Sequence, residues 1–199
     1  IRYKLEKYPK KYLVVATTRP ETLLGDVAIA VHPEDERFKA FHGQKVMLPL
    51  LNKPIPVIQD GYVDMQFGTG ALKITPGHDP NDYTVGNRHG LPIITIFDEA
   101  AKMNEHAGPY KGLSREDARK KMLEDLHAQE LLEKEVDHSH NVGHCDRCAT
   151  VVEPRVSAQW FVKAEILAKD AIRAVEMKEI KIVPEEWEKT YFEWMRNIR

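Results

Sequence analysis

Few features of an extreme kind occur in this 199-residue sequence, and each absence closes off a class of protein. No stretch reaches the roughly 18 uninterrupted apolar residues that a membrane-spanning helix needs, and no basic-then-apolar segment stands at the N-terminus. A cytosolic placement with no membrane partner is therefore expected. Only two cysteines are present, Cys145 and Cys148, which excludes a disulfide framework. Neither sign of charge dominates: 29 Lys+Arg against 31 Asp+Glu give a formal net charge of −2. Bulk attraction to phosphate then cannot drive nucleic-acid binding, which would have to rest on a local patch or on another part of a larger protein. The chain also lacks an initial methionine, opening on the strand-like "IRYKL" and stopping at Arg199 inside a helical pattern. It reads as an excised piece.

What is present is ordinary in bulk, 42% hydrophobic and 30% charged, enough for one domain or one domain plus an appendage. Seven short apolar segments, at residues 12–16, 27–31, 45–50, 55–58, 62–65, 71–75 and 92–97, are separated by Gly, Pro, Asn and Asp. That many strands at close spacing predict an α+β fold, mainly β, with a closed β-barrel core and inserted and peripheral helices. Two helices interrupt the strands: "PEDERFKAFHG", and "DPNDYTVGNRHG" with Asp79 as N-cap and Pro80 at the first helical position. Ser114 caps a long helix expected to run to about Lys134, with Ala118, Met122, Leu126 and Leu132 at helical spacing. Beyond Ile166 come a helix, a strand-like "IKIVP" and a last helix whose Trp187, Tyr191, Trp194, Met195 and Ile198 form an apolar stripe, read as a core face lacking its partner.

Three stretches carry chemistry. In "TTRPET", Thr18 and Glu21 have capping-box spacing, which explains a strand-to-helix junction but leaves Arg19 and Thr22 without a purpose. A helix start beside an arginine fork suits a phosphate or a carbonyl oxygen. In "FGTGALKITPGHDPND", alternation puts Lys73 and Thr75 on one strand face. Within four residues of that strand come His78, Asp79 and Asp82, so polar groups converge at one end. Asp79 and Asp82 can be a cap and a dipole partner, or one can take an ammonium group while the other takes a hydroxyl or orients water. In "HSHNVGHCDRC", Cys145 and Cys148 are either half of a zinc site or two reduced thiols in a turn.

Together, "ATTRPETLLGD", "GTGALKITPGHDPNDYTVG", "DEAAKMNEHAGPYKGL" and "VVEPRVSAQWF" resemble the editing domain of the valyl-tRNA synthetases, an insertion between the halves of a class I catalytic domain. The resemblance runs over nearly the whole chain in family order, with Gly77 and Leu72 as conservative departures from Ala and Val. It implies residues 1–150 as the editing barrel and 151–199 as the return connection toward the catalytic domain. It further implies hydrolysis of threonine from mischarged tRNA(Val), with the acceptor end of that tRNA and the rest of the synthetase as partners. Asp79 would bind the α-ammonium and, with Thr18, orient the attacking water. Lys73, Thr75 and Asp82 would read the threonine hydroxyl, while Arg19, Thr22 and Phe67 would line the pocket around the ester or terminal adenosine. Neither a HIGH nor a KMSKS signature occurs, so ATP-dependent activation would belong to other parts of the enzyme. No cofactor or metal is expected in this chain beyond a possible half zinc site at Cys145 and Cys148, whose other pair would lie elsewhere. A noncatalytic β-barrel module binding RNA or protein is the alternative; the slight negative charge and the lack of a basic-aromatic strand pattern speak against it.

Overall fold

Gly, Pro and Asn punctuation does divide the first half of the chain into short strands in the computed structural model, which describes residues 1–8 and 10–198. Strands β1 (Arg2–Lys4) and β2 (Tyr12–Val14) pair antiparallel. Strands β3 (Ala28–Val31), β4 (Lys45–Leu48), β5 (Lys53–Gln59) and β6 (Ala71–Ile74) form a second sheet in the order β4-β5-β3-β6. Within it β3 runs parallel to β5 and antiparallel to β6. All four residues of β3 are buried, as a central strand covered on both faces should be. Ile29 and Val31 enter one apolar cluster with Leu13, Leu23 and Val57; Ala28 and Ala30 enter another with Val63, Ile74 and Val85.

The expected closed barrel is not what forms. Among the described residues the sheets have two and four strands and do not close on themselves, and helical residues outnumber strand residues. The reason lies in two runs that read as strands but spend their backbone groups elsewhere. At residues 62–65 the carboxylates of Asp60 and Asp64 accept from the amides of Tyr62 (2.9 Å) and Gln66 (2.8 Å), bending the chain into turns. At 92–97 the Ile96 amide donates to His78 Nε2 (2.9 Å) and the Thr95 carbonyl accepts from Asn104 Nδ2 (2.7 Å); only Phe97 makes a bridge, to Met103. Side chains have replaced the ladder that would have closed the sheet. The "IKIVP" segment is likewise not a strand.

Helix α1 (Pro80–Arg88) starts where expected, at Asp79. "PEDERFKAFHG" gives only a 3₁₀ helix, Glu36–Phe41. Helix α2 (Arg115–Ala128) buries Ala118, Met122 and Leu126 but stops short of Lys134. Glu130 takes a left-handed conformation (φ 56°), the Leu131 amide bonds back to the Leu126 carbonyl (2.8 Å), and Leu131 is buried. That stop normally carries glycine, so the sequence gives no sign of it.

Residues Ile1–Val156 make one compact unit and a second begins at Ser157. The second unit is a helical hairpin of α3 (Ala164–Glu176) and α4 (Trp187–Arg196), in which the Tyr191 hydroxyl donates to the Ala171 carbonyl (3.0 Å). Trp187 and Trp194 of the apolar stripe are exposed. Among the described residues no helix is long and apolar enough to cross a membrane.

Candidate functional site

A cavity of about 790 Å³ opens where the end of β2 and the end of β6 approach each other. From β2 the chain enters a buried 3₁₀ helix, Pro20–Gly25. The capping box expected of Thr18 and Glu21 does not form. Thr17 Oγ1 accepts from the Arg19 amide (3.0 Å) instead, Arg19 occupies the cap position without a side-chain bond, and the Glu21 carboxylate faces Arg119 (3.2 Å). A charge partner on α2 outcompetes the local turn. Thr22 Oγ1 donates to the Arg19 carbonyl (2.9 Å), fixing the hydroxyl's remaining lone pairs toward β6.

On β6 and just beyond it, Lys73 and Thr75 do share a face, and that face is buried. Lys73 Nζ donates to Thr22 Oγ1 (2.9 Å), to Asp26 Oδ1 (3.0 Å) and to Thr75 Oγ1. Thr75 Oγ1 donates to Asp26 Oδ1 (2.6 Å), and the Tyr3 hydroxyl donates to Asp26 Oδ2 (2.6 Å). A fully buried carboxylate therefore takes three donors, one of them a cation. Burial pushes the Asp26 carboxyl up, and Lys73 is the largest influence drawing it back. The same burial, with Asp26 beside it, holds the Tyr3 phenol well above its usual range.

The opposite wall is the start of α1. Asp79 Oδ1 accepts from the amides of Asn81 (2.8 Å) and Asp82 (3.0 Å), which uses one oxygen as the cap and leaves Oδ2 without a partner among the described residues. Asp82 Oδ2 accepts from the Thr75 amide (2.8 Å), yet burial raises its pKa to about 6, with Asp79 and Asp26 adding to the effect. His78, between them, is buried with Nε2 accepting from Ile96. Burial, then Arg19 and Lys73, lowers its pKa to about 4, so the ring is neutral.

The two shifts oppose each other in acid. Folding favours neutral Asp82, so its contribution to stability is complete below its ordinary value of 3.8 and lost as pH rises through about 6. Folding also favours neutral His78, whose contribution is present above its ordinary 6.5 and lost as pH falls through about 4. Urea unfolding between pH 4 and 6.5 should separate them. Relative to the parent, Asp82→Asn should lose stability on acidification and His78→Gln should gain it, each by about 2 kcal/mol. Parallel pH profiles for parent and both variants would contradict these assignments.

The residues that the resemblance assigns to substrate and water line this one cavity, with Thr18, Arg19 and Thr22 on one side, Lys73 and Thr75 on its floor, and Asp79 and Asp82 opposite, whereas Glu21, Cys145 and Cys148 do not line it. Phe67 also lines it and is 71% exposed, so it stands at the mouth. Sequence reading missed Asp26 and Tyr3, whose partners come from distant strands. It also missed the segment at residues 132–138, which borders the cavity together with His140. Asp26 does sit inside "ATTRPETLLGD", which was its one available signal.

Cys145 and Cys148 lie in a tight turn closed by Cys145 amide to Thr150 carbonyl (2.8 Å) and Ala149 amide to Cys145 carbonyl (2.8 Å). Cys-x-x-Cys is a spacing found in tetrahedral zinc sites. Among the described residues no group of three His, Cys, Asp or Glu is placed to hold a metal, and His144 Nδ1 is engaged by the Ala149 carbonyl (2.7 Å).

Residues 6–199 match the model of the family "tRNA synthetases class I (I, L, M and V)". The valine–tRNA ligase of Thermotoga maritima is 58% identical over 197 residues, covering 97% of this chain and 23% of that protein. That of Carboxydothermus hydrogenoformans is 58% identical over 199 residues, covering 100% and 23%. The chain thus spans about a quarter of the length of these relatives. Among solved structures, the ternary complex of Agrobacterium radiobacter K84 agnB2 LeuRS with tRNA and LeuAMS aligns with a TM-score of 0.51 at 25% identity, over 65% of this chain and 18% of that one. The structure titled GlLeuRS-CP1 aligns at 0.50 and 16% identity, over 63% and 85%, a likeness of fold alone.

Proposed function

The chain belongs to the class I tRNA synthetases of the isoleucyl, leucyl, methionyl and valyl group, and on that premise we propose that it is the segment of a valine–tRNA ligase that hydrolyses threonine from mischarged tRNA(Val). The observation that carries this reading is the polar, buried set of Lys73, Thr75 and Asp82 on the floor and wall of a cavity whose rim holds Arg19 and a half-free Asp79. Threonine against valine is the standard example of a hydrophobic synthetic pocket failing to reject an isostere that adds a hydroxyl. A second pocket built to hydrogen-bond that hydroxyl has the opposite preference, because valine would leave its buried polar groups unpaired, at roughly 1–3 kcal/mol per group.

Asp79 Oδ2 takes the α-ammonium. Asp82, Lys73 and Thr75 take the side-chain hydroxyl, Lys73 by exchanging one of its three bonds to Thr22, Asp26 and Thr75 for the substrate. Arg19 and Thr22 hold the ester end, and Phe67 at the mouth packs beside the terminal adenosine. Neither Thr18 nor Thr22 has a base beside it of the kind a nucleophilic hydroxyl needs, and the Thr22 hydroxyl is already donating to a carbonyl. Water therefore attacks the ester carbonyl directly, oriented by Asp79 and Thr18. The acyl–oxygen bond breaks, and the proton lost by the water ends on the ribose oxygen that is released. The acceptor end of tRNA(Val) and the remainder of the synthetase are the partners, in the cytoplasm.

The test of the hydroxyl reading is Thr75→Val in the full-length enzyme. It should reduce the preference for threonyl- over valyl-tRNA(Val) about tenfold, the effect of one lost hydrogen bond. An unchanged preference would remove Thr75 from substrate recognition. For the cysteine pair, half of a zinc site predicts substoichiometric zinc in this chain by metal analysis; one tight zinc per chain would overturn it.

A further inference from the structure

We propose that Glu153 is a positioning residue for this cavity, setting the direction in which the Arg19 guanidinium faces it and so tying the "VVEPR" segment to hydrolysis. The inference rests on the hydrolytic reading of the site and assigns a part to a stretch that the reading leaves idle. Arg19 is held at several points. Nη2 donates to Glu153 Oε2, Nη1 donates to the His78 carbonyl (3.0 Å), and Nε lies 3.8 Å from Glu21 Oε1. Since His78 belongs to the opposite wall, Arg19 spans from "TTRPET" to "PGHD", and its anchors decide the width and the charge direction of the rim. An arginine has enough rotamer freedom that a single carbonyl contact would not fix its plane; a carboxylate on the outer nitrogen does.

Glu153 is itself fixed. Its side chain is 14% exposed, and Oε1 accepts from Arg115 Nη1 (2.7 Å) at the first position of α2. One carboxylate is thus shared by two guanidinium groups, while Arg115 also pairs with Glu116 and Glu21 lies beside Arg19 and Arg119. Of the five N–H groups of Arg19 two are spent on these bonds and Nε–H lies toward Glu21, which leaves one on each outer nitrogen for an ester carbonyl or a phosphate. One turn along α2 from Arg115, Arg119 bonds the Thr18 carbonyl (2.8 Å) and the Glu21 carboxylate (3.2 Å). Helix α2 therefore grips "TTRPET" directly through Arg119 and indirectly through Arg115 and Glu153.

The test is a double-mutant cycle in the full-length synthetase, with deacylation of threonyl-tRNA(Val) and thermal unfolding measured on each form. Glu153→Gln keeps the shape and removes the charge; it should lower kcat about tenfold with little change in KM. Because Glu153 acts through Arg19, adding Glu153→Gln to Arg19→Ala should cost nothing further. Glu153→Ala should behave like Glu153→Gln, and a variant that no longer unfolds cooperatively is replaced in the cycle by the other. Parent-like hydrolysis by both variants, or losses that multiply with Arg19→Ala, would overturn the role of Glu153. A parent enzyme that releases no threonine would overturn the hydrolytic reading itself, and this inference with it.

Discussion

Asp26→Ala is expected to abolish threonine release and to lower the unfolding free energy by about 3–5 kcal/mol, the cost of leaving the other member of a buried ion pair without its partner. Lys73 sits on the opposite end of that pair, nearly as buried as the aspartate, and its other bonds are to neutral hydroxyls. Without Asp26 the lysine must either stay charged in a low-dielectric site or lose its proton. In both cases the group that would read the substrate hydroxyl changes position or charge. Tyr3 and Thr75 would lose their acceptor at the same time, so the damage reaches from β1 to β6. Asp26→Asn keeps the shape and some of the hydrogen bonds, and should fold better than Asp26→Ala while still failing to hydrolyse. Urea unfolding and deacylation, measured on the same preparations, check both statements. An Asp26→Asn variant with parent-like activity would show that the charge is not needed.

Asp79→Ala should behave in the opposite way, losing function with little loss of fold. As the cap of α1 the side chain accepts two amides through one oxygen, a contribution of about 1 kcal/mol. Its other oxygen, without a partner among the described residues, is the one proposed above to take the ammonium group. Removing a charged partner of that kind should lower kcat/KM for threonyl-tRNA(Val) about 100-fold. Asp79→Asn retains the cap, and its hydrolysis should fall nearly as far. Normal hydrolysis by Asp79→Ala would leave Asp79 as a cap and nothing more.

These two aspartates also mark what the sequence could and could not reveal. Asp79 was legible because capping is local: the Asp-Pro start, the amides it serves two and three residues on, and Asp82 on the same side of the helix all follow from spacing. Asp26 was not, because Tyr3, Lys73 and Thr75 lie 23, 47 and 49 residues away and only the folded sheet brings them together. Lys73 and Thr75 could be placed on one face by alternation, but whether that face met solvent or a buried carboxylate was decided by the parallel and antiparallel neighbours of β3. The barrel failed for a related reason. Residues 62–65 and 92–97 have strand-like composition, and side chains of Asp60, Asp64, His78 and Asn104 satisfy backbone groups that a ladder would otherwise have used. The Thr18–Glu21 box failed because Arg119, about a hundred residues on, is a better partner for Glu21 than a local amide.

The central claim is that this cavity removes threonine, and only threonine, from the valine tRNA. The direct measurement is the rate of deacylation of threonyl-tRNA(Val) and of valyl-tRNA(Val), side by side, by the full-length enzyme with and without Asp79→Ala. Rapid loss of threonine, slow loss of valine, and disappearance of the difference in the variant are the predicted results. Equal rates for the two amino acids, or threonine release that survives Asp79→Ala unchanged, would contradict it.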